Sequence, residues 1–359
     1  MQVPKNLKAQ VSDMETFWFV IVAYSLALYV VLDGFDLGAG VLHLFVAKTN
    51  EERRSVLNAI GPVWDGNEVW LLASGGILYF AFPRVYASAF SGFYLPLIIV
   101  LWLLMSRALG IELRHHVNHP MWQSFWDAAF GFGSMLLAVF FGAALGNVVR
   151  GVPLDSNGLF FLPLWTTFDV TGDPGVLDWF TVLMGLTALV ILTMHGASYL
   201  LMKCEGAVYN RCRNLLKGRL WIMDVIMIVS LIASIDVRPD FWEHYVNDVW
   251  GWIFPIGVLA GRLWMFVSLR REQAHRVFLG SCVMIGSALG ATAFAIFPRL
   301  LPHPTDPSLD LTVFNSAAPA YGLQVGVVWW SLGTVLVIGY FSYLFYSIRG
   351  KVKLDDHGY

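Results

Sequence analysis

Four carboxylic acids stand in two short apolar stretches of the chain. In DGFDLGAGVLH, positions 33–43, Asp33, Asp36, Gly40 and His43 follow helical spacing and share one face. In GPVWDGNEVW, positions 61–70, Asp65 and Glu68 are i, i+3 neighbours with Asn67 beside them, and Pro62 suits a first helical turn. A neutral carboxylic acid beside an ionised one can pass a proton with little rearrangement, so this spacing points to proton conduction. The plainer reading is structural. Asp65 could satisfy free N–H groups at a helix start. Asp36, nearer the membrane interface than Asp33, is the acid best suited to tying helices together.

Other polar residues offer less. Arg107 and Glu112 close an apolar run and Asp127 opens the next, which favours an ion pair for Arg107 over a place at the mouth of a proton path. His195, in LTMHGASYLL, is read as a histidine hydrogen-bonded within a helix bundle, the alternative being a bis-histidine haem site with His43. His115, His116 and His119 lie close together, but without a thiolate or carboxylate pattern no metal ligand set is assigned to them. No phosphate-binding loop, dinucleotide fingerprint or GxSxG elbow occurs, so the chain alone offers no complete catalytic constellation.

These residues must be positioned by membrane helices. Of 359 residues 57% are hydrophobic and only 13% charged, about half the charge of a soluble protein. A soluble domain could not cover its surface with so few ionic groups. The chain is therefore expected to be all-α and polytopic. Disorder is excluded by the same composition, and nucleic-acid binding by a net charge of −2 with no basic domain. The three cysteines (Cys204, Cys212 and Cys282) are too widely spaced for CxxC or CxxCH. Cys204 and Cys212, set in a basic segment, are read as reduced cytosolic thiols.

A bilayer core needs roughly 20 apolar residues per helix. Nine such runs are predicted, at about 17–46, 60–81, 85–108, 125–149, 178–202, 219–235, 250–269, 277–297 and 322–347. The second is interrupted by its polar cluster, and the sixth is short. The first is too long for a cleaved signal peptide, with Asp33 and Asp36 where a cleavage site would fall. Trp64, Trp70, Trp122, Trp126, Trp242, Trp250, Trp252, Trp329 and Trp330 fall near span ends and are read as interfacial anchors. The longest connection, about 150–177, is too short for a soluble domain, so residues 1–359 form one membrane domain.

Placing the C-terminus inside puts 16 of the 23 Lys and Arg residues on the inner face and six outside, with Arg262 within a span. The outer connections are acidic instead. This bias predicts an outer N-terminus, with both acid segments toward the cytoplasm, where proton uptake would open. Glu205 and the basic run to Arg219 are expected to be a solvated loop meeting anionic lipid. His195-Gly196 falls in the fifth span where Asp33-Gly34 falls in the first. That parallel hints at a repeat, spans 1–4 (about 17–149) and 5–8 (about 178–297), with span 9 added.

DGFDLGAG at 33–40 followed by GPVWDGNEVWLL at 61–72 resembles subunit II of the cytochrome bd-type quinol oxidases. The likeness continues through FPRVYASAFSGFYLPL (82–97), Gly-Asn-Val (146–148), HGASYL (195–200) and LTVFNSAAP (311–319), covering nearly the whole chain. The resemblance implies nine helices, as two four-helix bundles plus one peripheral helix. It implies a haem-free partner of a subunit I that carries two b-type haems and, in the main branch, haem d; the cyanide-insensitive branch fits this sequence as well. The implied reaction is oxidation of membrane quinol (ubiquinol) and reduction of O2 to water, with protons drawn from the cytoplasm, in a bacterial inner membrane. Asp33 and Asp65 match the acids of the family's proposed proton route. Trp64, Asn67 and Glu68 match the same motif, Asp36 and Arg107 lie beside it, and His195 matches the HGA segment. The family also admits a structural quinone in subunit II and a small single-helix subunit. Two other readings stay open: a stand-alone proton-coupled transporter, whose helices should break near the midplane in both halves, and a purely structural stabiliser of the oxidase.

Overall fold

A computed structural model describes residues 5–352, with side chains from Asp13 onward. Its helices in chain order are α1 (Lys5–Val46), α2 (Asn50–Ile60), α3 (Trp64–Ala81), α4 (Pro83–Gly92), α5 (Tyr94–Leu113), α6 (Pro120–Arg150), α7 (Trp179–Lys203), α8 (Gly206–Val237), α9 (Asp240–Asn247), α10 (Ile253–Arg270), α11 (Ala274–Ile296), α12 (Val313–Ser316) and α13 (Ala320–Ser347). Two short antiparallel strands, β1 (Arg299–Leu301) and β2 (Leu311–Thr312), interrupt an otherwise helical chain. Among the described residues eight helices are long and apolar enough to cross a membrane, those containing α1, α5, α6, α7, α8, α10, α11 and α13.

The second expected span is the difference. Its first residue, Ile60, ends α2; a turn over 61–63 follows, and α3 runs for only 18 residues. Asp65, Asn67 and Glu68 fill the first turns of α3 and dilute its apolar content. The third expected span is also divided, since α4 ends at Gly92 and α5 starts at Tyr94. The sixth is longer than expected. The basic run read as a loop is helical from Gly206, in a 32-residue α8 that carries Arg211, Arg213, Lys217 and Arg219 on its first turns.

The ends of the bundle differ in charge. At the basic end meet the C-termini of α1, α5, α7, α10 and α13 and the N-termini of α6, α8 and α11. Here Thr49 caps α2 reciprocally with Glu52. Partial burial opposes the charge of Glu52, but hydrogen bonds from Arg211 and from the Lys48 and Thr49 amides hold its carboxyl below the ordinary range. Cys204, between α7 and α8, is buried, and that burial pushes its thiol up to about 11, so it is held as an unreactive thiol. At the opposite end Arg150, closing α6, pairs with Asp178, whose other oxygen caps α7 through the Phe180 and Thr181 amides. This ties the irregular connection between the two helices to the bundle.

α1 is the central element, packing on α3, α6, α7 and α11. Its crossing with α7 has no room for side chains. A Cβ on Gly38 would lie 1.9 Å from the Leu192 carbonyl oxygen, and one on Gly196 2.3 Å from the Gly38 carbonyl carbon. Gly196 thus meets Gly38, while Gly34 lies against Leu192 and His195. Gly34 and Gly38 form a small-xxx-small pair that lets α7 approach closely, with Gly38 at the point of contact. α13 lies outermost, with Leu323 its one buried residue among those described. It leans on Trp18 and Phe80 through Gly326, and Lys203 holds its end through the Ile348 and Gly350 carbonyls.

Candidate functional site

The two acid segments meet where α1 faces α3 and α5. Asp33 is fully buried and accepts two parallel hydrogen bonds from Arg107 of α5, at 2.9 Å from Nη1 and 2.5 Å from Nη2. This planar fork-to-carboxylate match is the strongest ionic geometry a protein offers. Arg107 is therefore an ion-pair partner, as its type suggested, and it selects Asp33. One turn on, Asp36 is equally buried and its Oδ2 accepts from the Asn67 amide at 2.7 Å. Asn67 also reaches the Leu32 carbonyl at 3.4 Å, so α3 is fastened to α1 at this level. Asp36 Oδ1 has no protein partner.

Glu68 and Asp65 complete the set without joining the buried pair. Glu68 lies 3.9 Å from Arg107 Nη2 with its side chain 23% exposed. Asp65 is on the exposed face of α3. The α3 cap position is Val63, which contributes no side-chain hydrogen bond. The four acids thus form a gradient of burial from α1 outward across α3. Trp64, expected as an interfacial anchor, is instead packed into the core, whereas Trp242, Trp250, Trp252 and Trp329 are exposed.

The histidines divide in the same way. His195 is buried, donates through Nε2 to the Val31 carbonyl at 2.9 Å, and has Nδ1 2.7 Å from Ser281 Oγ. Both ring nitrogens are engaged, so the ring has no free lone pair for a haem iron. His43 is held through Nε2 by Asp127 at 2.6 Å. The two do not form a bis-histidine set, and these residues do not fit haem ligation. His116 and His119 spend a ring nitrogen each on local backbone, at the Glu112 carbonyl and the Met121 amide.

A second polar cluster was not foreseen. Asp127 of α6, 1% exposed, accepts from Arg114 Nε at 2.5 Å and from Arg53 Nη1 at 2.7 Å as well as facing His43. Arg114 reaches on to Asn50 at 2.8 Å. These residues come from α1, α2, the end of α5 and α6, and no local spacing joins them.

Comparison with known proteins agrees with this architecture. The sequence profile of the cytochrome bd terminal oxidase subunit II family matches residues 14–348. A probable cytochrome oxidase subunit 2 from Haemophilus influenzae is 30% identical, covering 94% of this chain and 95% of its own. Subunit 2 of the cytochrome bd-I ubiquinol oxidase from Escherichia coli K12 is 27% identical over 94% of this chain and 95% of its own. The Bacillus subtilis cytochrome bd ubiquinol oxidase subunit 2 is 29% identical over 95% and 98%. Among solved structures, a chain of the bd oxidase from Geobacillus thermodenitrificans superposes with a TM-score of 0.69 at 18% identity, covering 94% of this chain and 99% of that one, which shows a shared fold. With a family match spanning nearly its whole length and buried acids on the motif-bearing helices, this chain belongs to the cytochrome bd terminal oxidase subunit II family.

Proposed function

We propose that this chain is the haem-free second subunit of a bd-type quinol oxidase and conducts protons from the cytoplasmic face toward the haem site of its partner subunit. The observation that carries this reading is the burial gradient of the four acids. Carboxyl groups in a membrane bundle are expensive, about 2.5–3.5 kcal/mol each on translocon scales, and such groups usually mark ion or proton paths. Asp36 keeps one oxygen unpartnered beside the Asp33–Arg107 pair, and Glu68 stands between that pair and the chain surface. Asp33 sets the local field, Asp36 and Glu68 exchange protons, and Asp65 is a relay acid at the exposed face of α3. Trp64 and Asn67 hold α3 in register, and His195 fixes α7 against α1.

Haem b and haem d, carried by the partner subunit, would supply the redox chemistry when bound, with ubiquinol as reductant and O2 as oxidant. Quinol protons released outside and protons taken up inside separate charge without pumping. The topology that serves this has nine spans with α3 counted among them, in two four-helix groups with α13 peripheral. It has the N-terminus outside and the basic end in the cytoplasm. A small single-helix subunit and a bound structural quinone are compatible with the lipid-facing surface.

One observation favours a second reading, a stabilising subunit only: the bidentate Asp33–Arg107 pair is also what a purely structural contact would look like. Changing Asp33→Asn and Asp65→Asn in the assembled complex separates the two. Conduction predicts quinol-driven O2 consumption per recovered haem lowered about tenfold or more in both variants, against the roughly 10²–10⁴-fold that a proton-transfer group typically contributes, with a lower yield of complex for Asp33→Asn because Arg107 is left unpaired. Normal turnover per recovered haem in both variants would leave only the stabiliser.

A further inference from the structure

The face of α1 that carries Asp33 and Asp36 continues past the site. Gly40 lies four residues beyond Asp36 and His43 three beyond Gly40, steps of about 6 Å and about 4.5 Å along the axis. Across Gly40 stands Ser134 of α6, and a Cβ at position 40 would sit 2.1 Å from its Oγ. Asp36, Ser134 and His43 are each fully buried, and Asp36 Oδ1, Ser134 Oγ and His43 Nδ1 have no protein hydrogen-bond partner. Leaving a buried polar atom unsatisfied costs about 1–3 kcal/mol. Asp36 and His43 on one face of α1, with Ser134 of α6 across from Gly40 between them, form a line of such atoms that bridging water would satisfy.

The basic end of this column is the cluster around Asp127. Asp127 accepts from two guanidinium groups, so its contact with His43 Nε2 is a donated N–H. In that tautomer Nδ1 carries the lone pair, and it has no hydrogen-bond partner. The groups around His43 are Asp127 and Phe130 of α6, Arg114 beyond α5 and Arg53 of α2. Arg53, 27% exposed, brings the cluster to the surface at the basic end.

We propose that His43, oriented by Asp127, is the proton-accepting base at the cytoplasmic end of this column and delivers protons along α1 to Asp36. This rests on the conducting role proposed above. A proton from the aqueous phase adds to the Nδ1 lone pair, and the imidazolium keeps its Nε2–H bond to Asp127. The Nδ1–H bond then breaks as the proton passes, through the Ser134 hydroxyl and bridging water, to Oδ1 of Asp36. His43 returns to its starting state.

The test uses the complex with its haem-bearing partner in proteoliposomes, following O2 consumption, haem content and proton uptake from the cytoplasmic side with a pH dye. His43→Gln keeps a donor for Asp127 and loses the base. It should retain haem, slow turnover and proton uptake about tenfold, and enlarge the solvent deuterium isotope effect. Ser134→Ala, which leaves the Asp127 cluster untouched, should slow uptake about threefold, and it decides the matter if His43→Gln fails to assemble. Wild-type rates in these variants, with Asp33→Asn or Asp65→Asn impaired, would overturn the His43 inlet and leave the route. Wild-type rates in all four would remove the conducting role itself.

Discussion

Replacing Arg107 by Met should destabilise the chain in its complex by about 3–5 kcal/mol, the usual cost of leaving one member of a buried ion pair without the other. Both side chains are fully buried, and Arg107 takes both oxygens of Asp33. Without it, Asp33 faces Asp36 and Glu68 with no counter-charge at the level where α1, α3 and α5 meet. The expected result is a lower thermal midpoint of the purified complex and poorer accumulation in the membrane. Adding Asp33→Asn should restore most of the loss, because a buried pair replaced by neutral groups of similar volume is often nearly neutral. Arg107→Lys should fall between, since a single ammonium cannot make the two parallel bonds. An Arg107→Met complex that melts like the wild type would show that the pair contributes little to holding α5 on α1. Recovery of stability in the double variant without recovery of turnover would separate the structural work of Asp33 from the part in proton transfer proposed for it.

The acids of α1 and α3 were legible because burial and spacing act along the chain. Asp33 and Asp36 share a helix face with Gly40 and His43 whatever surrounds them, and an acid in an apolar run has few fates other than pairing or conduction. The choice of Arg107 for Asp33 is a contact between residues 74 apart, set by how α5 lies on α1. The Asp127 cluster was hidden for the same reason, since its members sit on four separate segments. Its one local signal, basic residues just beyond the ends of predicted spans, reads equally well as membrane orientation. The beginning of α8 misled in the opposite direction. Basic residues from Arg211 to Arg219 have the composition of a solvated loop, yet Lys and Arg are good helix formers, and apolar Val208, Cys212, Leu216 and Leu220 recur among them at a spacing of four and are buried. The break before α3 was visible as a polar interruption. That it moved the start of the helix depended on α2 forming its own capped turn-and-helix from Thr49.

Substituting Gly38 by Ala should all but abolish accumulation of the folded chain. The added Cβ would meet backbone atoms, the Leu192 carbonyl oxygen at 1.9 Å and the Gly196 Cα and N at 2.8 Å. No rotamer change relieves contacts with backbone, so α1 and α7 would have to separate by more than about 1 Å to reach ordinary van der Waals distance. Contacts on both sides of the crossing depend on that approach: the His195 bond to the Val31 carbonyl, the Phe35–Tyr199 ring stack at 4.0 Å, and the Tyr199 hydroxyl bond to the Ala59 carbonyl. Gly196→Ala should be as damaging, because its Cβ would strike the Gly38 carbonyl carbon and the Ala39 nitrogen at 2.3 and 2.4 Å. Gly286→Ala in α11, where nothing lies within 4 Å, is the matched control. It should be neutral or slightly stabilising, within about 1 kcal/mol, as alanine gains helix propensity. Membrane abundance and haem recovery of the complex read all three, and a Gly38→Ala chain that accumulates normally would show that the crossing is not obligatory. The same geometry bears on the proposed proton transfer. Phe35, between the two acids, stacks on Tyr199 of α7, so the crossing fixes the rotation of α1 that turns Asp33 toward Arg107 and Asp36 toward Asn67. A separation that spared folding would still turn both carboxyls away from the partners through which they act.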